Sequence, residues 1–112
     1  MKALVCRELR DDFEGVELAD QPPPAPRPGE VLVRVHAASL NFPDLLMLRG
    51  AYQHRPEPPF IVGIDFAGVV AAVGEGAAHW RTGARVAGGA KTGAFADYFC
   101  APETGLARIP SN

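Results

Sequence analysis

The chain has 112 residues, 47% of them apolar and 21% charged, with a formal net charge of −2; this is one domain's worth of sequence, able to bury roughly two-thirds of its unfolded surface in one core. It lacks the basic field that nucleic acid or an anionic membrane would require. The run from Phe60 to Gly74 is broken by glycine and carries Asp65, and the opening MKALVCRELRDD is too short and too soon acidic for a secretory leader, so the sequence predicts a cytoplasmic protein with no nucleic-acid or membrane partner.

In chain order, MKALVCREL opens with an apolar strand, DDFEG is a turn, and in GVELADQ the apolar Val16 and Leu18 alternate with acids. PPPAPRPG is a stiff extended connector, too poor in donors for a central strand. EVLVRVHAAS alternates most clearly, with Val31, Val33, Val35 and Ala37 on one face and Leu32, Arg34 and His36 on the other. A short helix follows in NFPDLLMLRG. Asn41 is a good N-cap, Pro43 suits the first turn, Asp44 puts a carboxylate beside the free N–H groups, and Gly50 supplies a left-handed stop. Phe42, Leu45 and Leu46, spaced i, i+3 and i+4, predict its apolar face.

After the loop QHRPEPP, the β-branched and glycine-rich FIVGIDFAGVVAAVGEG predicts one long, bent strand whose glycines mark bulges or close backbone approach. ARVAGG, GAFADYFCAP and GLARIP complete a series of short strands. Twelve glycines and eleven prolines, just over a fifth of the chain, occur without period or repeat, which suits a turn-rich β domain. The expected fold is mainly β: a small, partly open β-barrel with one or two short helices.

The chemistry-bearing motifs are few. Gly74 and Gly76 are followed by His79 where a third dinucleotide-binding glycine would stand, so a nucleotide-binding fold is absent from the sequence. Ser39 and Ser111 have no G-x-S-x-G setting or histidine partner, which speaks against a nucleophilic hydrolase. His36, His54 and His79 are scattered, and Cys6 and Cys100 stand far apart without metal-ligand spacing, so free thiols are expected and no metal site.

Five short stretches in order nevertheless resemble one family. GIDFAGVVAAVG, from Gly63 to Gly74, is similar to the G-H-E-x-x-G-x-V-x-x-V-G signature of the medium-chain alcohol dehydrogenases, with Gly63, Gly68, Val70, Val73 and Gly74 in step. PRPGEVLVRVHAASLNFPD resembles that family's P-x-x-G-E-V-L-V-x-V strand and C-x-x-D turn, and WRTGARV and GAFADY its G-D-x-V and G-x-F-A-E-Y segments. The resemblance implies the GroES-like barrel over residues 1–112, which is the N-terminal catalytic domain of these enzymes, with the nucleotide held by a following Rossmann domain absent from this chain.

The departures point to a branch. Where zinc-dependent members carry a ligating Cys and His, this sequence has Asn41 and Ile64, and the four-cysteine structural zinc lobe is missing. The Asn41-x-x-Asp44 pattern resembles the zinc-free quinone oxidoreductase (zeta-crystallin-like) branch. That resemblance implies hydride transfer from NADPH to a quinone or enone, with Asn41, Phe42 and Tyr52 against the cofactor, Tyr52 and Asp44 in catalysis, no metal, and a possible homodimer. It also implies weak or no NADPH binding by this chain alone. Enoyl- or acryloyl-type reductases of the same family share every motif, and a non-catalytic, co-chaperonin-like GroES module is the alternative from another class.

Overall fold

The computed structural model describes residues 1–110; Ser111 and Asn112 lie outside the described residues. Among the described residues, eight strands and one α-helix follow in order: β1 (Lys2–Cys6), β2 (Val16–Asp20), β3 (Glu30–Ala37), α1 (Phe42–Arg49), β4 (Phe60–Ile61), β5 (Asp65–Val73), β6 (Arg85–Gly89), β7 (Tyr98–Pro102) and β8 (Leu106–Arg108), with a 3-10 turn at Glu103–Gly105. All the ladders are antiparallel. They form a three-stranded sheet in the order β2-β1-β4 and a five-stranded sheet in the order β7-β3-β5-β6-β8. This is the mainly β, half-barrel architecture with one short helix that the strand pattern predicts. The helix is too short to cross a membrane.

The centre of the large sheet is where the sequence alternates best. Val31 and Val33 of β3 are fully buried, while Arg34 and His36 are turned toward solvent. The alternation fails at Ala37, which is exposed rather than sharing the valine face. The β3–β5 register explains this: Val35 faces Gly68 but Ala37 faces Ala67, so His36 is an extra, bulged residue that resets the pleat. A second bulge falls in β5, where Leu32 faces Ala72 and Val33 faces Val70. These two bulges bend the ladder and help curl the sheet. Gly68 sits at a close approach of the two strands: a Cβ there would lie 2.1 Å from the Arg34 carbonyl oxygen of the neighbouring strand.

The single long strand expected after residue 60 does not form. β4 joins the small sheet, β5 the large one, and the chain breaks between them at Val62–Ile64, where Gly63 takes φ 111°. Each short segment satisfies its backbone in a different sheet, and the glycine makes the change of direction possible. The segment Ala94–Asp97 ties the sheets together: the Phe95 N–H donates to the Val62 carbonyl and the Leu4 N–H to the Phe95 carbonyl, both at 2.8 Å.

Two clusters make the core. Val31, Val33, Phe66, Val70, Val86 and Ala101 fill the inside of the large sheet, with Phe66 and Phe99 tilted against each other at 5.1 Å. Cys6, Leu48 and Val62 fill the space between the small sheet and the helix, and Phe95 packs against both clusters. Cys6 and Cys100 are free thiols, as their spacing predicts.

The helix is rotated from the expected orientation. Its buried residues are Asp44, Met47 and Leu48, whereas Phe42 is 71% exposed and Leu45 and Leu46 are only half-buried or buried less completely. The stretch LLML is apolar on every side, so the i, i+3, i+4 rule admits two stripes. The one containing the Asp44 carboxylate is the one turned inward.

Candidate functional site

Around the N-terminus of α1, the chain leaves β3 through Ala38, Ser39 and Leu40 and enters the helix at Asn41, whose backbone is extended (φ −119°, ψ 161°) as an N-cap requires. The Asp44 carboxylate reaches back to accept the Asn41 N–H at 2.8 Å on Oδ2, the reciprocal half of a capping box. Asp44 is 0% exposed and its Oδ1 has no hydrogen-bond partner among the described residues.

The Asn41 side chain is engaged with β5. Its Nδ2 donates to Asp65 Oδ2 at 2.7 Å and to the Ser39 carbonyl at 3.2 Å. Asp65 also accepts the Ser39 backbone N–H on Oδ1 at 2.9 Å and the Ser39 hydroxyl on Oδ2 at 2.7 Å. One carboxylate at the start of β5 therefore organises the whole turn before the helix. Sequence reasoning noted Asp65 only as a charge within the run from Phe60 to Gly74, and Ser39 as a serine without a histidine partner. The two residues are 26 apart in sequence, and only the pairing of β3 with β5 brings them together.

These surroundings act on the two carboxyl groups in opposite senses. The hydrogen bonds from Ser39, joined by that from Asn41, hold Asp65 below the usual carboxylate range. Burial, reinforced by the charge of Asp65, pushes Asp44 up, against the lowering influence of the Asn41 N–H. For a carboxyl raised in the folded state, the stability it contributes is complete below its unfolded pKa of about 3.9 and is lost as pH rises through the folded value. Asp44→Asn keeps an acceptor for the Asn41 N–H but cannot ionise. Its stability relative to wild type should therefore rise between pH 4 and pH 7, read as the difference in urea midpoints at the two values; a difference independent of pH would show that Asp44 carries no such penalty.

A cleft of about 390 Å³ opens beside the helix, lined by Met47, Tyr52, His54, Ile64, Lys91 and the backbone of Gly89 and Ala90. Of the residues read from the sequence as site candidates, Tyr52 lines this cleft. Asn41 is half-buried at the helix start, Phe42 projects into solvent, and Asp44 is enclosed beneath the helix. Ser39 and Asp65 instead line a shallow apolar depression with Phe66, Ala87 and Gly88. Met47, His54, Ile64 and Lys91 were not legible as cleft residues, because the loop after α1, the Gly63 break and the end of β6 meet only in three dimensions.

Ile64 stands on the cleft wall where a zinc-binding relative would have histidine, and the Asn41 nitrogen is bound to Asp65. Among the described residues, no three His, Cys, Asp or Glu side chains gather at metal-holding range. The donor set here does not fit a zinc ion, which needs nitrogen or sulfur lone pairs converging on one point.

Comparison with known proteins shows the family of the domain. A family model described as the alcohol dehydrogenase GroES-like domain matches residues 27–111. Quinone oxidoreductase-like protein 2 of Rattus norvegicus is 37% identical over 111 residues, covering 99% of this chain and 31% of the relative. The chain thus spans about a third of the length of that relative. Among solved structures, the human synaptic vesicle membrane protein VAT-1 homolog-like protein superposes with a TM-score of 0.95 at 29% identity, covering all of this chain and 36% of that one. The quinone oxidoreductase of Thermus thermophilus, whose structure was also determined with NADPH, gives 0.83 at 38% identity, covering 99% and 33%.

Proposed function

Because the chain belongs to the alcohol dehydrogenase GroES-like domain family, we propose that it supplies the substrate-binding part of a zinc-independent, NADPH-dependent oxidoreductase that reduces quinones or activated alkenes. The observation that carries this reading is Ile64 on the wall of the Tyr52 cleft: an aliphatic side chain there replaces a potential ligand with a surface for a ring. Its support from outside the chain is the quinone oxidoreductase among its structural neighbours and the quinone oxidoreductase-like relative.

Met47 and Ile64 offer the apolar walls, and Tyr52, His54 and Lys91 the polar groups. A quinone is flat and apolar with carbonyl oxygens at its edge, and these walls suit its faces. The Tyr52 phenol is the donor placed to meet one of those oxygens as negative charge builds on it. Bound NADPH would supply the hydride, held mainly by a nucleotide-binding domain outside this chain. Asn41 and Phe42 stand on the cofactor side at the helix start, and Asp44 acts from beneath by fixing that start. Without a metal, the protein's contribution is positioning, exclusion of water and hydrogen bonding to the developing oxyanion. A soluble quinone or enone is thus the partner, in a cytoplasmic enzyme.

In a polypeptide joining this domain to the proposed nucleotide-binding domain, Tyr52→Phe should lower quinone-dependent NADPH oxidation by roughly 100- to 1,000-fold, the range for loss of one oxyanion donor, with little change in thermal melting. Steady-state turnover and a melt on the same preparations check this. Unchanged turnover would remove Tyr52 from the reaction.

A further inference from the structure

We infer that Asp65 is a positioning residue that, with Ser39, commits the Asn41 amide nitrogen, so that any ligand group meeting Asn41 finds an acceptor and no free donor. An asparagine amide ordinarily offers two N–H donors and an oxygen with two lone pairs. Here Nδ2 has its donors directed to Asp65 Oδ2 at 2.7 Å and the Ser39 carbonyl at 3.2 Å, with the Ser39 hydroxyl oxygen also near at 3.3 Å. The Ser39 hydroxyl donates its own proton to Asp65. The remaining capacity of the Asn41 side chain is therefore on its oxygen, which can only accept and keeps a lone pair even with the Asp44 N–H of the capping box on the other.

The orientation is enforced rather than chosen by Asn41 itself. Asp65 accepts the Ser39 backbone N–H on Oδ1, and a backbone donor cannot turn away. Its second oxygen thus stays directed at the Ser39 hydroxyl and Asn41. Turning the Asn41 amide over would place two oxygens, one of them charged, face to face. Asp65 is held in its charged form by the same donors, and hydrogen bonds to ionised acceptors are the stronger kind.

The consequence concerns ligand class and rests on the proposed function only in placing a ligand beside Asn41. A group docking there must bring a hydrogen: a hydroxyl, as on a reduced quinone, or a primary amide. A bare carbonyl oxygen finds no donor on Asn41 and must be met elsewhere, as by Tyr52.

The chemistry of the pair also shows how to test it in the 112-residue chain, without cofactor or turnover. Asn41→Asp sets a carboxylate against Asp65. In Asp65→Asn, the new amide must keep its oxygen toward the Ser39 N–H, which directs its NH₂ at the Asn41 nitrogen and drives that amide to turn over. Exchanging both, Asn41→Asp with Asp65→Asn, restores one donor facing one acceptor, although the new carboxylate still meets the Ser39 carbonyl. The double variant should melt above Asn41→Asp and below wild type. By NMR, the Asn41 side-chain amide protons of wild type should exchange with water roughly tenfold or more slowly than those of Asp65→Ala, as the loss of a hydrogen bond to a charged group requires. A double variant melting no higher than Asn41→Asp, or equal exchange in wild type and Asp65→Ala, would overturn the inference. Neither result would bear on whether the longer protein reduces quinones.

Discussion

Gly63→Ala should unfold the domain or leave it barely stable. The residue sits at φ 111°, and a Cβ built there falls 2.6 Å from Phe95 Cδ1 and 2.7 Å from the Phe95 backbone nitrogen. The ring is met at its base, Cδ1 and Cγ, where turning the tip gives no relief, and the nitrogen cannot move: its N–H donates to the Val62 carbonyl in the contact that joins the two sheets. Backbone strain of about 1–3 kcal/mol and overpacking of similar size act together. Roughly 3 kcal/mol or more is a large part of the about 5–15 kcal/mol typical of a domain. Chemical denaturation of the variant against wild type measures this, and a loss under about 1 kcal/mol would mean that the Val62–Ile64 break tolerates a side chain.

Phe66→Ala should cost roughly 3–5 kcal/mol, the range for a buried phenylalanine. Phe66 is 3% exposed, packs on Phe99 and belongs to the large-sheet cluster. It also follows Asp65 directly, so the cavity left behind would loosen the strand that presents the carboxylate to Ser39 and Asn41. Phe66→Leu, which keeps most of the volume, should lose much less. Thermal melts of the two variants separate a packing effect from a general intolerance of change at the position; equal losses would point to the latter.

Much of the architecture was legible because the strands obey period two and the punctuation is strong. Val31 and Val33 declare the inside of β3, and Asn41, Asp44 and Gly50 declare both ends of the helix. What was not legible depended on long-range choices. The LLML run gives two helical stripes of equal spacing, and only docking against Cys6 and Val62 selects the one with Leu48. The run from Phe60 to Val73 is rich in β-branched residues on both sides of Gly63, so its division between two sheets leaves no local mark beyond Gly63 and the nearby Asp65.

The same holds for the site. Tyr52 was readable as a candidate through resemblance, and the structure sets it on the cleft. Asn41 was readable as an N-cap and, through resemblance, as a residue against the cofactor, but not as a partner of Asp65. Its amide in fact donates to Asp65, so an aspartate there would meet a like charge. No local pattern joins residues 39, 41 and 65; the β3–β5 pairing does.

That this cleft serves hydride transfer to a quinone without zinc is tested most directly by quinone-dependent NADPH oxidation. The assay uses a polypeptide joining this domain to the proposed nucleotide-binding domain, before and after exhaustive chelation, with the zinc content measured on the same samples. Turnover should proceed at the same rate in both, on protein with far less than one zinc per chain. Activity that disappears on chelation and returns with added Zn²⁺ would contradict it.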